Sequence, residues 1–434
     1  ATMRRLDYVF WSSPVSGQDL KAFSPKTVSP SGGPYIGGSR FYILNEPTNS
    51  FMAIEPVGTP FAEAKGYMIR APNDFPANGT QQVFNGLFSG VPNNGTATIA
   101  TTRTPGTGYG YNLIGNPYPS TLNASLFLAQ NPGALYFWTH TSQNPAMGSN
   151  YASYTNFGVA AAAGGAVPDG TIAVGQGFIL ETAASGTTTF TNAMRTSANQ
   201  AIFFREANTD RSRLWLNLSN QDGLQNQILV GYADGATMDV DVSMDAPSME
   251  ENINSIASLI DGKHYSIQAR PTPFDTNDEI PLGFKATAAG TFTISLFDAD
   301  GVFAVGDAES QAVYLKDMAT NTLHNLSETP YSFGSPAGAY NDRFSIVYQN
   351  TALQLPVLSG WPSAVVFKEG QHLRIETSGR IQHVTVYDIW GRQLYDTAAD
   401  NSGRFTTHDL RIQQQPIAVR VMIDGQRIVK KIVF

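Results

Sequence analysis

The sequence predicts an all-β protein, a tandem of β-sandwich (jelly-roll or Ig-like) domains. Three observations carry that reading. Forty Gly and 25 Pro among 434 residues cut the chain into short runs, and no long stretch sustains apolar residues at the 3.6-residue helical spacing. Runs rich in Val, Ile, Thr and aromatic residues alternate apolar with polar positions and are bounded by Gly, Pro, Asn and Asp. Finally, Asp424-Gly425 stands between the alternating segments AVRVMI and QRIVKKIVF. A two-residue type I′ hairpin turn needs positive φ at both positions, which Asp-Gly accepts at little cost.

The elements follow in chain order. Residues 1–204 read as a β domain with an imperfect internal repeat, about 7–90 and 110–195. DYVFWSSPVSG at 7–17 aligns with GYNLIGNPYPS at 110–120, so that Pro14 falls on Pro117. AKGYMIRAP at 64–72 aligns with GQGFILETA at 175–183, and Phe84 and Phe190 close the two copies. Proline removes a ladder N–H, so each opening strand must stop there or lie at an edge.

From Thr104 to Pro168 there is no Asp, Glu, Lys or Arg, yet the stretch holds Tyr136, Trp138, Tyr151 and Tyr154. A segment without charge is either covered by protein or presents a neutral aromatic face. Those four aromatics are therefore candidates for ligand or partner contact, and core packing is the competing expectation.

Residues 205–352 supply at least seven strand-like runs at short intervals, among them RLWLNLSN, NQILVGYAD, KHYSIQARP and DRFSIVYQN, as a sandwich module requires. Leu353, Pro356, Gly360 and Pro362 mark a linker, and 353–434 is the linker plus the closing module. Within that module, period-two alternation puts Val419, Val421 and Ile423 on one face of the hairpin with Ile428, Ile432 and Phe434. Arg420, Arg427 and Lys431 take the other face.

Composition narrows the function. A net charge of −8 without a Lys/Arg cluster argues against nucleic acid, whose phosphates need concentrated cations. There is no cysteine, so disulfides, thiolate metal sites and cysteine nucleophiles are all excluded. No run of about 20 apolar residues is present, so no membrane-spanning helix is expected. The opening ATMRRLDYVF lacks the apolar core of a signal peptide, and an export signal upstream of Ala1 is the expectation.

Catalytic motifs are equally sparse. A serine hydrolase elbow Gly-x-Ser-x-Gly does not occur, and His140, His264, His324, His372, His383 and His408 are scattered with no His-Glu-x-x-His. A glycosidase needs two facing carboxylates, but the aromatic-rich region 104–194 offers only Asp169 and Glu181. Glu181 reads as an outward strand residue. The expectation is a non-enzyme with no cofactor. Calcium has weak candidates in Asp298, Asp300 and Asp307, with Glu309 beside them; an Asp-x-Asp-Gly turn capping its own N–H groups is the simpler account. Asp239, Asp241 and Asp245 alternate as on a solvated strand face.

The residues VYDIWGR at 386–392 and the ending KKIVF resemble the C-terminal sorting domain, type A-like, of type IX secretion substrates of Bacteroidetes. The LVGY strand, DRFSIVY and GYNLIGNPYPS are similar to modules that precede such domains in surface proteins. The resemblance implies that the tandem of sandwiches ends in an Ig-like module, and that the chain is a secreted, outer-membrane-associated cell-surface protein, an adhesin or display protein. It implies outer-membrane shuttle and translocon components as partners, and other surface proteins or polysaccharide as further contacts. Carried onto this chain, the sorting signal would comprise Tyr387, Gly391, Arg392, Asp424, Gly425, Lys430, Lys431 and Val433. Two alternatives stand beside it: a carbohydrate-binding module or fragment of a polysaccharide-degrading enzyme, and a subunit of a surface filament or sheath.

Overall fold

The computed structural model describes residues 1–434 except 30–37, 107–108, 140–148, 165–166, 197–210, 250–252, 305–309, 350–363, 378, 409, 411 and 413–414. Strands dominate and only two short α-helices occur among the described residues, in keeping with the all-β expectation. The chain divides into two compact units, Ala1–Asn350 and Thr351–Phe434. The linker residues Leu353, Pro356, Gly360 and Pro362 lie outside the described residues.

Unit 1 opens with strands β1 (Tyr8–Trp11), β2 (Phe41–Asn45), β3 (Ser50–Ala53) and β4 (Tyr67–Arg70), which form a sheet in the order β1-β4-β2-β3. A second sheet holds β5 (Tyr111–Gly115), β6 (Ala134–Trp138), β7 (Tyr151–Tyr154), β8 (Val159–Ala160) and β9 (Gly177–Glu181) in the order β5-β9-β6-β7-β8. Apart from the added edge strand β8 the orders coincide, and so do the registers. Tyr8 faces Arg70 and Trp11 faces Tyr67, as Tyr111 faces Glu181 and Ile114 faces Phe178.

The likeness extends to the helices. Asp19 caps the helix Leu20–Phe23 by accepting from Ala22 N, and Asn123 caps Ala124–Gln130 by accepting from Leu126 N. A side-chain oxygen at this place answers one of the N–H groups a helix start leaves unpaired.

The two sheets meet through a reciprocal joint. Trp11 bridges Gln176 and Ile114 bridges Lys65, while Ser12 N donates to Gly175 O and Gly115 N to Ala64 O, both at 2.9 Å. The accepting residues share a left-handed backbone, φ 59° at Ala64 and 71° at Gly175. Gly115 permits the close approach, since a Cβ there would lie 2.3 Å from Ser12 Cβ.

The third element of unit 1 is a long curled sheet. Its strands are β10 (Arg211–Asn220), β11 (Gly223–Ala233), β12 (Ser255–Ile260), β13 (Lys263–Pro271), β14 (Glu279–Ala286), β15 (Gly290–Asp300), β16 (Tyr314–Asp317), β17 (Thr322–Asn325), β18 (Tyr331–Ser335) and β19 (Gly338–Val347). They run in the order β17-β16-β19-β14-β12-β13-β11-β10-β15-β18, with the short strand Ala246–Pro247 also on β13. The sheet curls onto itself: Phe333 of the end strand β18 packs on Phe344 of β19, ring centroids 4.8 Å apart.

Strand β11 explains how the parts join. Ile228, Val230 and Tyr232 point into the core that the curled sheet encloses. The intervening Leu229 and Ala233 join Phe10, Tyr111, Tyr136 and Ile179 in a second core shared with the repeat sheets. Period-two alternation normally leaves one face wet; here both faces are covered, and Gln225 to Ala233 are buried throughout.

Unit 2 is a two-sheet sandwich. Strands β20 (Ala364–Glu369), β21 (His372–Thr377) and β24 (Arg404–Thr406) make one sheet, in the order β20-β21-β24. The other has β22 (Ile381–Asp388), β23 (Gln393–Ala398), β25 (Pro416–Ile423) and β26 (Gln426–Val433), in the order β23-β22-β25-β26. Leu373 and Ile375 of the first pack with Val384, Val386, Val419, Val421 and Phe434 around one core.

Candidate functional site

The sorting-signal residues gather on the four-stranded sheet of unit 2. Asp424 and Gly425 form the turn between β25 and β26 with φ 48° and 78°, and Ile423 pairs with Gln426 across it. The turn is clipped to the start of β22: Arg380 N donates to Asp424 Oδ2 at 3.1 Å and Gly425 N to Gln382 Oε1 at 2.7 Å. From there the register places Val421 opposite Ile428 and Ile417 opposite Ile432. Phe434 is buried, and Lys368 Nζ stands 4.7 Å from its ring centroid. Lys430, Lys431 and Val433 are exposed along the edge strand β26.

At the other end of the sheet, YDIWGR is a turn built around one carboxylate. Asp388 Oδ1 accepts from Trp390 N and Arg392 N, both at 2.9 Å, and Oδ2 accepts from Arg392 Nε at 2.6 Å. Burial opposes its ionisation, but these donors hold the carboxyl below the usual aspartate range. Gly391 supplies the φ of 81° that closes the turn. Clamping the loop back leaves Ile389 and Trp390 outside, Trp390 72% exposed with the Arg392 guanidinium 5.6 Å from its ring. Tyr387 lies under Arg420 at 4.7 Å. Strand alternation had no means of marking Trp390, which sits in the turn.

The aromatic candidates of the uncharged stretch lie in the core rather than on a platform. Tyr136 and Tyr154 are buried, their hydroxyls bonded to Pro247 O at 2.6 Å and to Ser125 Oγ at 2.7 Å. Trp138 and Tyr151 are half-buried against Phe10, and Trp138 Nε1 donates to Tyr8 O at 2.9 Å. Tyr136, Trp138 and Tyr151 need no charged neighbours because the curled sheet and the other half of the repeat pack on them. Glu181 also departs from expectation. It points into unit 1, 2.6 Å from Arg103 Nη1, and burial raises its pKa against the pull of that guanidinium.

The acidic candidates are engaged by protein. Asp300 accepts from Arg213 N and Nε at 3.0 Å and from Nη2 at 2.5 Å, so it closes a strand pair and is not free for a cation. Asp298 is exposed and accepts from Ala299 N. Asp307 and Glu309 lie outside the described residues, as does His140. Among the described residues no three His, Asp or Glu side chains converge as a metal site would require.

Asp239, Asp241 and Asp245 lie in a folded loop, not on a strand face. Asp245 is buried; its Oδ2 accepts from Asp241 N at 2.7 Å and its Oδ1 from Ala269 N at 2.8 Å. Burial is the main reason its pKa is pushed up to about 7, with nearby Asp241 adding to it. The unfolded chain releases this proton near pH 4, while the native state keeps it until about 7. Stability should therefore fall as pH rises between those values. Asp245→Asn, which carries no titrating proton, should flatten that part of the profile when melting temperature is followed from pH 5 to pH 8; an unchanged slope would exclude Asp245 as its source.

One feature of unit 1 escaped the sequence altogether. Arg103, Lys263, His264 and Lys285 line a single open cleft of about 570 Å³ with Tyr109, Tyr111 and Glu181. They come from segments that no spacing rule connects.

Residues 1–348 match a family described as a domain of unknown function, DUF8693, and residues 362–434 match a second described in the same words, DUF8694. No curated protein matches the chain. Because the first match takes in both repeat sheets and the whole curled sheet, the chain belongs to the DUF8693 family.

Proposed function

We propose that the protein is a non-catalytic cell-surface protein whose unit 2 is read as an export address by the type IX apparatus, with unit 1 the displayed cargo. The observation that carries this reading is the β25–β26 hairpin. One face completes the sandwich core through Val419, Val421, Ile428 and Phe434, while Arg420, Arg427 and Lys431 occupy the other by the same register. A receptor can contact such a face, with Lys430 on the open edge and Trp390 at the opposite turn, without unfolding the module. The outer-membrane shuttle and translocon components implied by the resemblance are the partners this face would meet.

The test is export from a Bacteroidetes host. The chain, placed behind a general secretion leader, is compared with a version lacking residues 365–434 and with a Lys430→Glu/Lys431→Glu variant. Intact protein should reach the cell surface only when the translocon gene is present, and the deletion should stop in the periplasm. Equal surface levels for the intact and deleted chains would overturn the reading.

A further inference from the structure

We infer that the open cleft of unit 1 is a binding site for an anionic glycan, a chain bearing uronic-acid carboxylates. Its cations come from two directions. Arg103 follows the strand Ala97–Thr101 of the repeat region, whereas Lys263 and Lys285 stand on β13 and β14 of the curled sheet, where His264 adds a polar imidazole to the lining. Among the described residues the cleft sets one carboxylate against them, Glu181, already bonded to Arg103 at 2.6 Å. In a chain of net charge −8, such a cationic lining selects for an acidic ligand by charge complementarity.

Two glycines shape the site. A Cβ on Gly283 would lie 2.7 Å from His264 Cδ2 and Nε2, so its absence lets the imidazole lie against the sheet. Nε2 stands 2.9 Å from Asn341 Oδ1, an acceptor, so Nε2–H is the donor. Gly110, at φ 76°, makes the same kind of room: a Cβ there would meet Arg103 Nη1 at 2.8 Å. That nitrogen also donates to Thr182 O at 2.8 Å, which fixes the guanidinium at the wall.

A sugar is favoured over an acidic peptide by the aromatic wall. Tyr109 lies parallel to buried Tyr111, ring centroids 5.9 Å apart and planes 11° from parallel, and is itself 49% exposed. About half of Tyr109 thus stays accessible at the cleft, an aromatic surface against which a pyranose ring can rest. The volume, about 570 Å³, is in the range of small-ligand sites, and the open shape accepts a chain that continues beyond it. This inference is independent of the export reading, since the purified chain can be tested whatever its route to the surface.

Calorimetric titration of the full chain with tetragalacturonate should give saturable binding that weakens with added salt. The neutral tetrasaccharide maltotetraose should bind about tenfold more weakly or not at all. Lys263→Ala/Lys285→Ala should lose about tenfold in affinity, with Lys263→Arg/Lys285→Arg restoring most of it. Tyr109→Ala should lose about three- to tenfold, and Lys26→Ala, remote from the cleft, should bind like the parent. The inference falls if tetragalacturonate fails to bind at about 10 mM, if the double alanine variant binds like the parent, or if tetraglutamate binds as tightly as the uronate.

Discussion

Replacing Asp317 with alanine is expected to destabilise unit 1 by about 3–5 kcal/mol, the usual effect of stranding a buried charge. Asp317 is fully buried and its partner Arg343 nearly so. Arg343 donates Nε to Oδ1 at 3.1 Å and Nη2 to Oδ2 at 3.0 Å; Tyr331 Oη and Ala319 N complete the carboxylate at 3.0 and 2.9 Å. The guanidinium sits over the packed pair Phe333 and Phe344, 4.6 and 4.7 Å from their centroids. Asp317 ends β16, Tyr331 and Phe333 belong to β18, and Arg343 and Phe344 to β19. The cluster thus clasps one end of the strand order to the other and closes the curl.

Urea unfolding of Asp317→Ala should show the loss. Asp317→Leu/Arg343→Met should recover most of it, because apolar side chains of similar volume leave no unpaired charge. A single-variant loss under 1 kcal/mol, well below the range for breaking a buried pair, would show that the clasp is not holding the sheet. Burial opposes ionisation of Asp317, yet the bonds from Arg343 and Tyr331 lower its pKa. Its contribution is therefore complete above the unfolded aspartate value, about 3.9, and is lost as pH falls through the lower native value. That is the reverse of Asp245.

Removing β26 with Phe434 is expected to unfold unit 2 while sparing unit 1. The strand covers Ile417, Val419 and Val421, and Phe434 is 1% exposed. Truncating a buried phenylalanine alone costs about 3–5 kcal/mol, and a domain's whole stability is about 5–15 kcal/mol; losing Ile428 and Ile432 as well should exhaust it. Limited proteolysis should then degrade what is left of unit 2, residues 364–425, and leave a protected fragment ending near residue 350. A truncated chain whose unit 2 resists protease like the parent would refute this. The Lys430→Glu/Lys431→Glu variant changes two exposed side chains and should alter stability by no more than about 0.5 kcal/mol. An export defect in that variant would then report recognition, and one in the truncation alone would report folding.

The terminal hairpin was the most legible part of the chain, because a two-residue turn and strict alternation are local. Asp424-Gly425 set the register, and both faces follow the parity of the residue numbers. The equivalence of Tyr8–Trp11 with Tyr111–Ile114 was likewise visible in aligned residues, whereas the reciprocal bridges Trp11–Gln176 and Ile114–Lys65 were not. Glu181 and Asp245 misled for a shared reason. Alternation says that a residue leaves one face of a strand or loop, not whether another sheet covers that face.

What the sequence by itself determined is thus everything set within a few residues: the all-β class, the closing hairpin and the absence of thiol chemistry. Only the tertiary structure decided which faces stay wet. It packed Tyr136, Trp138 and Tyr151 of the uncharged stretch into a core shared between sheets, set Asp317 against Arg343, and brought Arg103 to the same cleft as Lys263 and Lys285. The physical reason is that strand formation depends on neighbours in sequence, whereas burial and charge pairing depend on neighbours in space.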